Sequence, residues 1–215
     1  MKRILILLIA VLSILVIDLK DAEAQDYAVK PWNIMINPSL SFGHVGGYYS
    51  PYNYGVGYSP GYGFTPNFMI SAKLTFHDYI SAGPYLGYTW STSNSYYTAA
   101  ADDRVTTTAF GAKGTFHYWN MLDKLITEVD FRSDEFDLYA NVYIGARIET
   151  VTYTQEVTKQ GKPDRYVKET DAKEEPIFQP NLGARWFASD FFGLFAEFGW
   201  SGMGYFKAGA TFKFN

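Results

Sequence analysis

Residues 136–149 read FDLYANVYIGARIE, and their alternation decides the fold. Phe136, Leu138, Ala140, Val142, Ile144, Ala146 and Ile148 are apolar, while Asn141, Gly145, Arg147 and Glu149 between them are polar, charged or glycine. A period of two is the strand period, because successive side chains leave a pleated backbone on opposite faces. The same alternation extends outward to eight segments: 32–44, 67–77, 80–92, 105–119, 136–154, 177–188, 191–201 and 203–214. Their even positions are mostly apolar or small, as in Phe68, Ile70, Ala72, Leu74 and Phe76, or Phe192, Leu194, Ala196, Phe198 and Trp200. Their odd positions carry Ser71, Lys73 and Thr75, Gly183 and Arg185, or Lys207, Gly209, Thr211 and Lys213.

Two architectures fit such strands. A soluble barrel or sandwich turns the apolar face inward, and a membrane barrel turns it outward against lipid around a polar lumen. The residue types favour the membrane barrel. Lys73, Lys113, Arg147, Arg185, Glu197 and Lys207 fall in the middle of the polar face. On the apolar face, aromatics gather at strand ends: Phe68 and Phe76 flank Ile70, Ala72 and Leu74, Phe110 and Tyr118 flank Ala112 and Gly114 with Phe116 interrupting, and Phe192 and Trp200 flank Leu194 and Ala196. Aromatic rings favour the lipid–water boundary, whereas a soluble core gives them no reason to prefer strand ends. The expected fold is an all-β, eight-stranded antiparallel up-and-down transmembrane barrel. Lipid cannot satisfy an open edge, so the strands must close on themselves. Pro38, Pro84 and Pro180 lie within strands and predict a bulge or a lost ladder bond at each.

The remaining composition narrows the function. The chain has 215 residues with 18 basic and 22 acidic side chains, a net charge of -4 that argues against a nucleic-acid partner. Absence of cysteine excludes a disulfide scaffold, a thiolate metal site and a cysteine nucleophile. Residues 1–24 read as a signal peptide: Lys2 and Arg3, an apolar run from Ile4 to Ile17, then Ala22-Glu23-Ala24, with cleavage expected after Ala24 and a barrel domain over 25–215.

The loops divide unequally. His77-Asp78-Tyr79 and Ser189-Asp190 are tight turns of the kind expected on the periplasmic side, and residues 120–126 read either as a short amphipathic helix at the membrane surface or as a polar turn. On the outer side, 45–66 is rich in Gly, Tyr and Pro, and Tyr48, Tyr49, Tyr52, Tyr54, Tyr58 and Tyr62 are binding candidates, since tyrosine gives contact area at low entropy cost. Alternation continues past membrane length and returns after Gln160-Gly161-Lys162-Pro163, so 152–176 reads as a hairpin projecting into solvent, with mixed charge. Ser201-Gly202 reads as a very short hairpin.

Four stretches stand out: Phe116-His117-Tyr118-Trp119-Asn120-Met121-Leu122 leading to Asp137-Leu138-Tyr139-Ala140, Leu182-Gly183-Ala184-Arg185-Trp186-Phe187, Phe192-Gly193-Leu194-Phe195-Ala196-Glu197, and the ending Phe206 to Phe214. In these the chain resembles the small outer-membrane barrel proteins of the OmpA-transmembrane-domain and OmpX type, in their Bacteroidetes form. The resemblance implies lumenal salt bridges, with Glu197 and Glu149 available to Arg147, Arg185, Lys73, Lys113 and Lys207. It implies a monomer in outer-membrane lipid or lipopolysaccharide, inserted by the barrel-assembly machinery that reads a terminal aromatic; here Asn215 follows Phe214. Some barrels of this size modify lipid A through a His-assisted nucleophile at the outer leaflet, but His77 and His117 fall at periplasmic strand ends and no histidine has a His-x-Ser spacing. The expected role is therefore non-enzymatic, with no cofactor or metal: envelope integrity, adhesion or host contact through 45–66 and 152–176. A narrow channel for small or apolar solutes, a lipid A-modifying enzyme and a secreted lipocalin-like binder with inverted parity are the alternatives.

Overall fold

The computed structural model describes residues 27–43, 67–94, 102–126, 132–159 and 162–214. The expected signal peptide and the six loop tyrosines lie outside the described residues. Eight strands follow in chain order: β1 (Ile34–Phe42), β2 (Asn67–His77), β3 (Ile80–Asn94), β4 (Asp102–Phe116), β5 (Phe136–Lys159), β6 (Lys162–Phe187), β7 (Phe192–Phe198) and β8 (Phe206–Phe214). Each pairs antiparallel with the next, and β8 returns to β1, closing the barrel. One short helix, α1 (Tyr118–Leu125), lies between β4 and β5.

Side-chain parity decides which way each strand faces. Even positions such as Ile70, Leu74, Leu86, Ile144, Leu182 and Leu194 are exposed. The odd-numbered Lys73, Lys113, Arg185, Glu197 and Lys207 are buried inside. This polarity is the reverse of a soluble protein, and a continuous apolar outer surface of this extent marks a membrane-embedded wall. Aromatic girdles bound it. Phe68 stacks with Trp90 at 6.3 Å and Phe42 with Phe206 at 6.2 Å at one end, and Phe192 meets Phe212 at 5.7 Å at the other.

The three prolines sit where the ladder is interrupted. Pro38 pairs with Ile70 of β2, but the β1–β8 register skips from Ile36 to Ser39. Pro84 pairs with Ala112 of β4, but the β2–β3 register skips from Tyr85 to Ala82. Pro180 pairs with Val142 of β5, and β7 reaches only as far as Leu182. Each proline turns its missing donor toward a gap, so no partner carbonyl is left waiting.

Several boundaries differ from the sequence reading. The fourth segment ends at Phe116, not 119, because His117 leaves the extended conformation and Tyr118 begins α1. The last two strands are shorter than expected, and residues 199–205 form a seven-residue connection instead of a tight hairpin at Ser201-Gly202. That connection folds into the barrel mouth. Ser201 and Met203 are buried, Asn67 Nδ2 donates to the Met203 carbonyl, and Met203 joins Met69, Tyr85, Ala109, Tyr143 and Ile177 in one apolar cluster. Gly202 has φ +78°, and a Cβ there would meet Ile177 Cδ1 at 2.4 Å, so the inward fold requires glycine.

The barrel ends are unequal. At one, hereafter the turn end, connections are short apart from the α1 segment. At the other, the hairpin end, β3 to β6 run far beyond β1, β2, β7 and β8. The β5–β6 ladder continues to Lys159 opposite Lys162.

Candidate functional site

The lumen holds two ionic layers. In the central one, Glu197 of β7 accepts from Lys113 Nζ at 2.5 Å and Lys207 Nζ at 2.7 Å. Tyr143 and Tyr139 hydroxyls donate to the same carboxylate at 2.8 and 3.1 Å. One buried anion is thus bridged by two cations and two phenols, which satisfies the requirement that a buried charge be both paired and hydrogen-bonded.

Toward the turn end, Asp137 accepts from Arg185 Nη1 at 2.9 Å and faces His117 Nδ1 at 2.9 Å. The other ring nitrogen of His117 lies 2.9 Å from Ser81 Oγ. Lys73 joins the two layers: its Nζ donates to Thr115 Oγ1 at 3.1 Å, which donates on to Asn141 at 2.7 Å. Lys73 and Arg185 also lie over the Tyr139 ring, at 5.1 and 4.7 Å. That ring occupies the space of an absent side chain at Gly183, its register partner, where a Cβ would meet Tyr139 Cε2 at 2.3 Å.

Of the seven charged residues singled out in the sequence, the structure brings Lys113, Glu197 and Lys207 together. It places Arg185 and Lys73 in the adjoining layer. Arg147 and Glu149 stand apart at the hairpin end, where Arg147 pairs with Glu175 and lies 3.9 Å from Glu149. Asp137, Tyr139, Tyr143, His117 and Ser81 were not singled out as members of this lumenal network. Asp137, Tyr139 and Tyr143 share the odd parity of Arg147, and that parity is the signal by which they could have been found.

Both mouths are closed. At the hairpin end the Met203 cluster fills the lumen. At the turn end the chain before β1 tucks under the barrel: Ala28 and Val29 pack with Met35 and Phe187, Lys213 Nζ donates to the Ala28 carbonyl at 2.8 Å, and Asn120 Nδ2 to the Val29 carbonyl at 3.2 Å. Between them, a space bounded by Ser39, Met69, Ser71, Lys113, Tyr143 and Phe195 measures about 10 Å³, at most the room for one water.

Ser81, His117 and Asp137 stand in the order of a hydrolase relay. All three are fully buried, and Asp137 is shared with Arg185. The arrangement fixes the imidazole between two strands and offers Ser81 no substrate. Among the described residues, no cluster of His, Cys, Asp and Glu is suited to a metal ion.

The accessible feature is the projecting sheet of β3 to β6. Past the membrane wall, β6 pairs with β5. Among the described residues no strand pairs with Lys162 to Gln179 on the other side, since the β6–β7 ladder begins at Leu182 opposite Phe198. The β5–β6 ladder runs unbroken through Pro176 and Pro180, so even-numbered residues there point their backbone N–H toward the open side. Pro176 and Pro180 have no such donor, and Phe178 between them keeps one. Beyond them, Thr170, Ala172 and Glu174 carry theirs on the same side, with no strand partner there among the described residues.

No family model and no curated protein matches the sequence. Among solved structures, the chain is similar to the attachment invasion locus protein Ail of Yersinia pestis in complex with the heparin analogue sucrose octasulfate, at 13% identity over 86% of this chain and 100% of that one, TM-score 0.48. A second structure of Ail gives 13% identity over the same coverage with TM-score 0.44. The solution structure of the de novo designed TMB2.3 gives 12% identity over 89% of this chain and 98% of that one, TM-score 0.40.

Proposed function

We propose that this chain is an outer-membrane barrel of the OmpA-transmembrane-domain and OmpX type that holds the β3–β6 sheet outside the cell as an interaction surface. The hairpin end faces outward, the turn end faces the periplasm, and residues 1–24 are removed after Ala24. The open edge of β6 carries this reading. An extended segment of an extracellular or host-surface protein can add to it as a fifth strand, with main-chain bonds supplying affinity. Mixed charge along the hairpin guards the same edge against indiscriminate pairing. The tyrosines of 45–66 are a second contact surface in this proposal.

The test uses the barrel in phospholipid nanodiscs and a displayed library of extended peptides. Thr170→Pro and Ala172→Pro each delete a donor on the open side, whereas Glu174→Gln keeps the backbone intact. Peptides selected on the parent should lose at least tenfold in affinity for both proline variants and keep it for Glu174→Gln. Equal binding to all three would exclude the edge. A non-enzymatic role is supported by the burial of Ser81, which should form no adduct with a fluorophosphonate probe; labelling of Ser81 would reopen the hydrolase reading.

A further inference from the structure

Trp32 lies in a conformation that its side chain disfavours. Its φ is +70°, in the left-handed region that bulky residues rarely occupy. Lys30 to Asn33 form the turn responsible, closed by Asn33 N–H donating to the Lys30 carbonyl at 3.2 Å, with Pro31 at the second position and Trp32 at the third. Positive φ at the third position of a proline turn is ordinarily given to glycine. The strained residue is also 72% exposed.

Backbone hydrogen bonds place the turn at the end of the β1–β2 ladder. Ile34 pairs with Leu74, Thr75 N–H donates to Asn33 O at 2.9 Å, and Trp32 N–H donates to Thr75 O at 2.6 Å. Trp32 and Asn33 therefore both oppose Thr75, a one-residue bulge that breaks the strand parity, and the exposed Trp32 stands at the same end of the barrel as the outward-facing Phe136, Trp186 and Phe214. Leu125 and Ile126, at the end of α1, are exposed at the same end of the barrel. On the other side of the turn, Ala28 and Val29 seal the lumen.

We propose that Trp32 is a lipid latch: its ring inserts among the glycerophospholipids of the adjoining leaflet, continuous with the girdle, and thereby holds residues 27–30 in the turn-end mouth of the barrel. The left-handed turn is what allows one short segment to face lipid at Trp32 and lumen at Val29. Burial of the ring in the interface offsets the backbone strain, so closure of the mouth depends on the bilayer.

The chain has no cysteine, so Ala28→Cys is a unique reporter. In nanodiscs, the fluorescence lost in Trp32→Phe identifies the Trp32 contribution. Phospholipids brominated near the headgroup should quench that contribution at least twofold and more than those brominated deep in the chain. Ala28→Cys should react slowly with a membrane-impermeant maleimide and at least tenfold faster when combined with Trp32→Ala. Trp32→Gly suits the turn but lacks the ring, so it should also accelerate labelling and serves if the alanine variant fails to fold. Equal labelling of parent and Trp32→Gly would overturn the latch, as would an unquenched Trp32 beside a quenched Trp186. If Trp186 is unquenched as well, the membrane reading itself fails.

Discussion

Glu197 is the residue on which the lumen turns. Two lysines and two tyrosines converge on its carboxylate, and all of them are buried. Glu197→Gln keeps the shape and removes the charge, leaving Lys113 and Lys207 without an anion. Breaking one side of a buried pair costs about 3–5 kcal/mol. Urea unfolding of the refolded barrel in vesicles should show that loss, and replacing Lys113 by Met in the same chain should restore part of it. A loss under 1 kcal/mol would mean that water reaches the layer. Parity was enough to assign Lys113, Glu197 and Lys207 to one face, because it needs only position. Their grouping into one layer, apart from that of Arg185 and Asp137, depends on strand stagger around a closed barrel, which no single strand records. Asp137 shows the limit well: it stands next to the boundary residue Phe136 and has the appearance of a turn carboxylate until β6 brings Arg185 across from it.

At the scale of elements, the strands were legible wherever lipid imposes a rule on every second residue. They were illegible where the lumen imposes its own. Alternation continues through Trp200 and resumes at Met203, so residues 199–205 read as strand and tight turn. The structure folds them inward because Met203 completes an apolar cluster drawn from β2, β3, β4, β5 and β6. Such a contact is set by what five distant strands leave unfilled. Met203→Ala empties that place, and large-to-small changes of this kind cost about 2–5 kcal/mol. The loss should appear as a lower urea midpoint with an unchanged slope, since the membrane wall is untouched. A change in slope would indicate that the connection also fixes the strands around it. The prolines teach the converse lesson. Pro38, Pro84 and Pro180 look like faults in isolated strands, yet the closed barrel gives each a ladder gap to face.

For the whole molecule, the question is whether the barrel conducts. An eight-stranded interior is narrow enough for side chains to fill, and here it is closed in three successive places: the Met203 cluster, the two ionic layers, and the strap of Ala28 and Val29. They share strands, and Tyr143 belongs to both the Met203 cluster and the central layer, but the contacts of Glu197 with Lys113 and Lys207 do not pass through Met203. The protein should therefore show heat-modifiable migration on SDS gels, as a closed barrel does, and no resolved conductance steps in planar bilayers. Met203→Ala should remain silent as well, because the Lys113–Glu197–Lys207 layer still spans the lumen. Steps in the parent would restore the channel reading and require a path past Tyr143 and Phe195. Steps only in Met203→Ala would make the connection a gate and the ionic layers permeable. Silence in both leaves the projecting sheet as the accessible working surface of the described residues, and a molecule whose sealed interior serves to hold that sheet rigidly above the membrane.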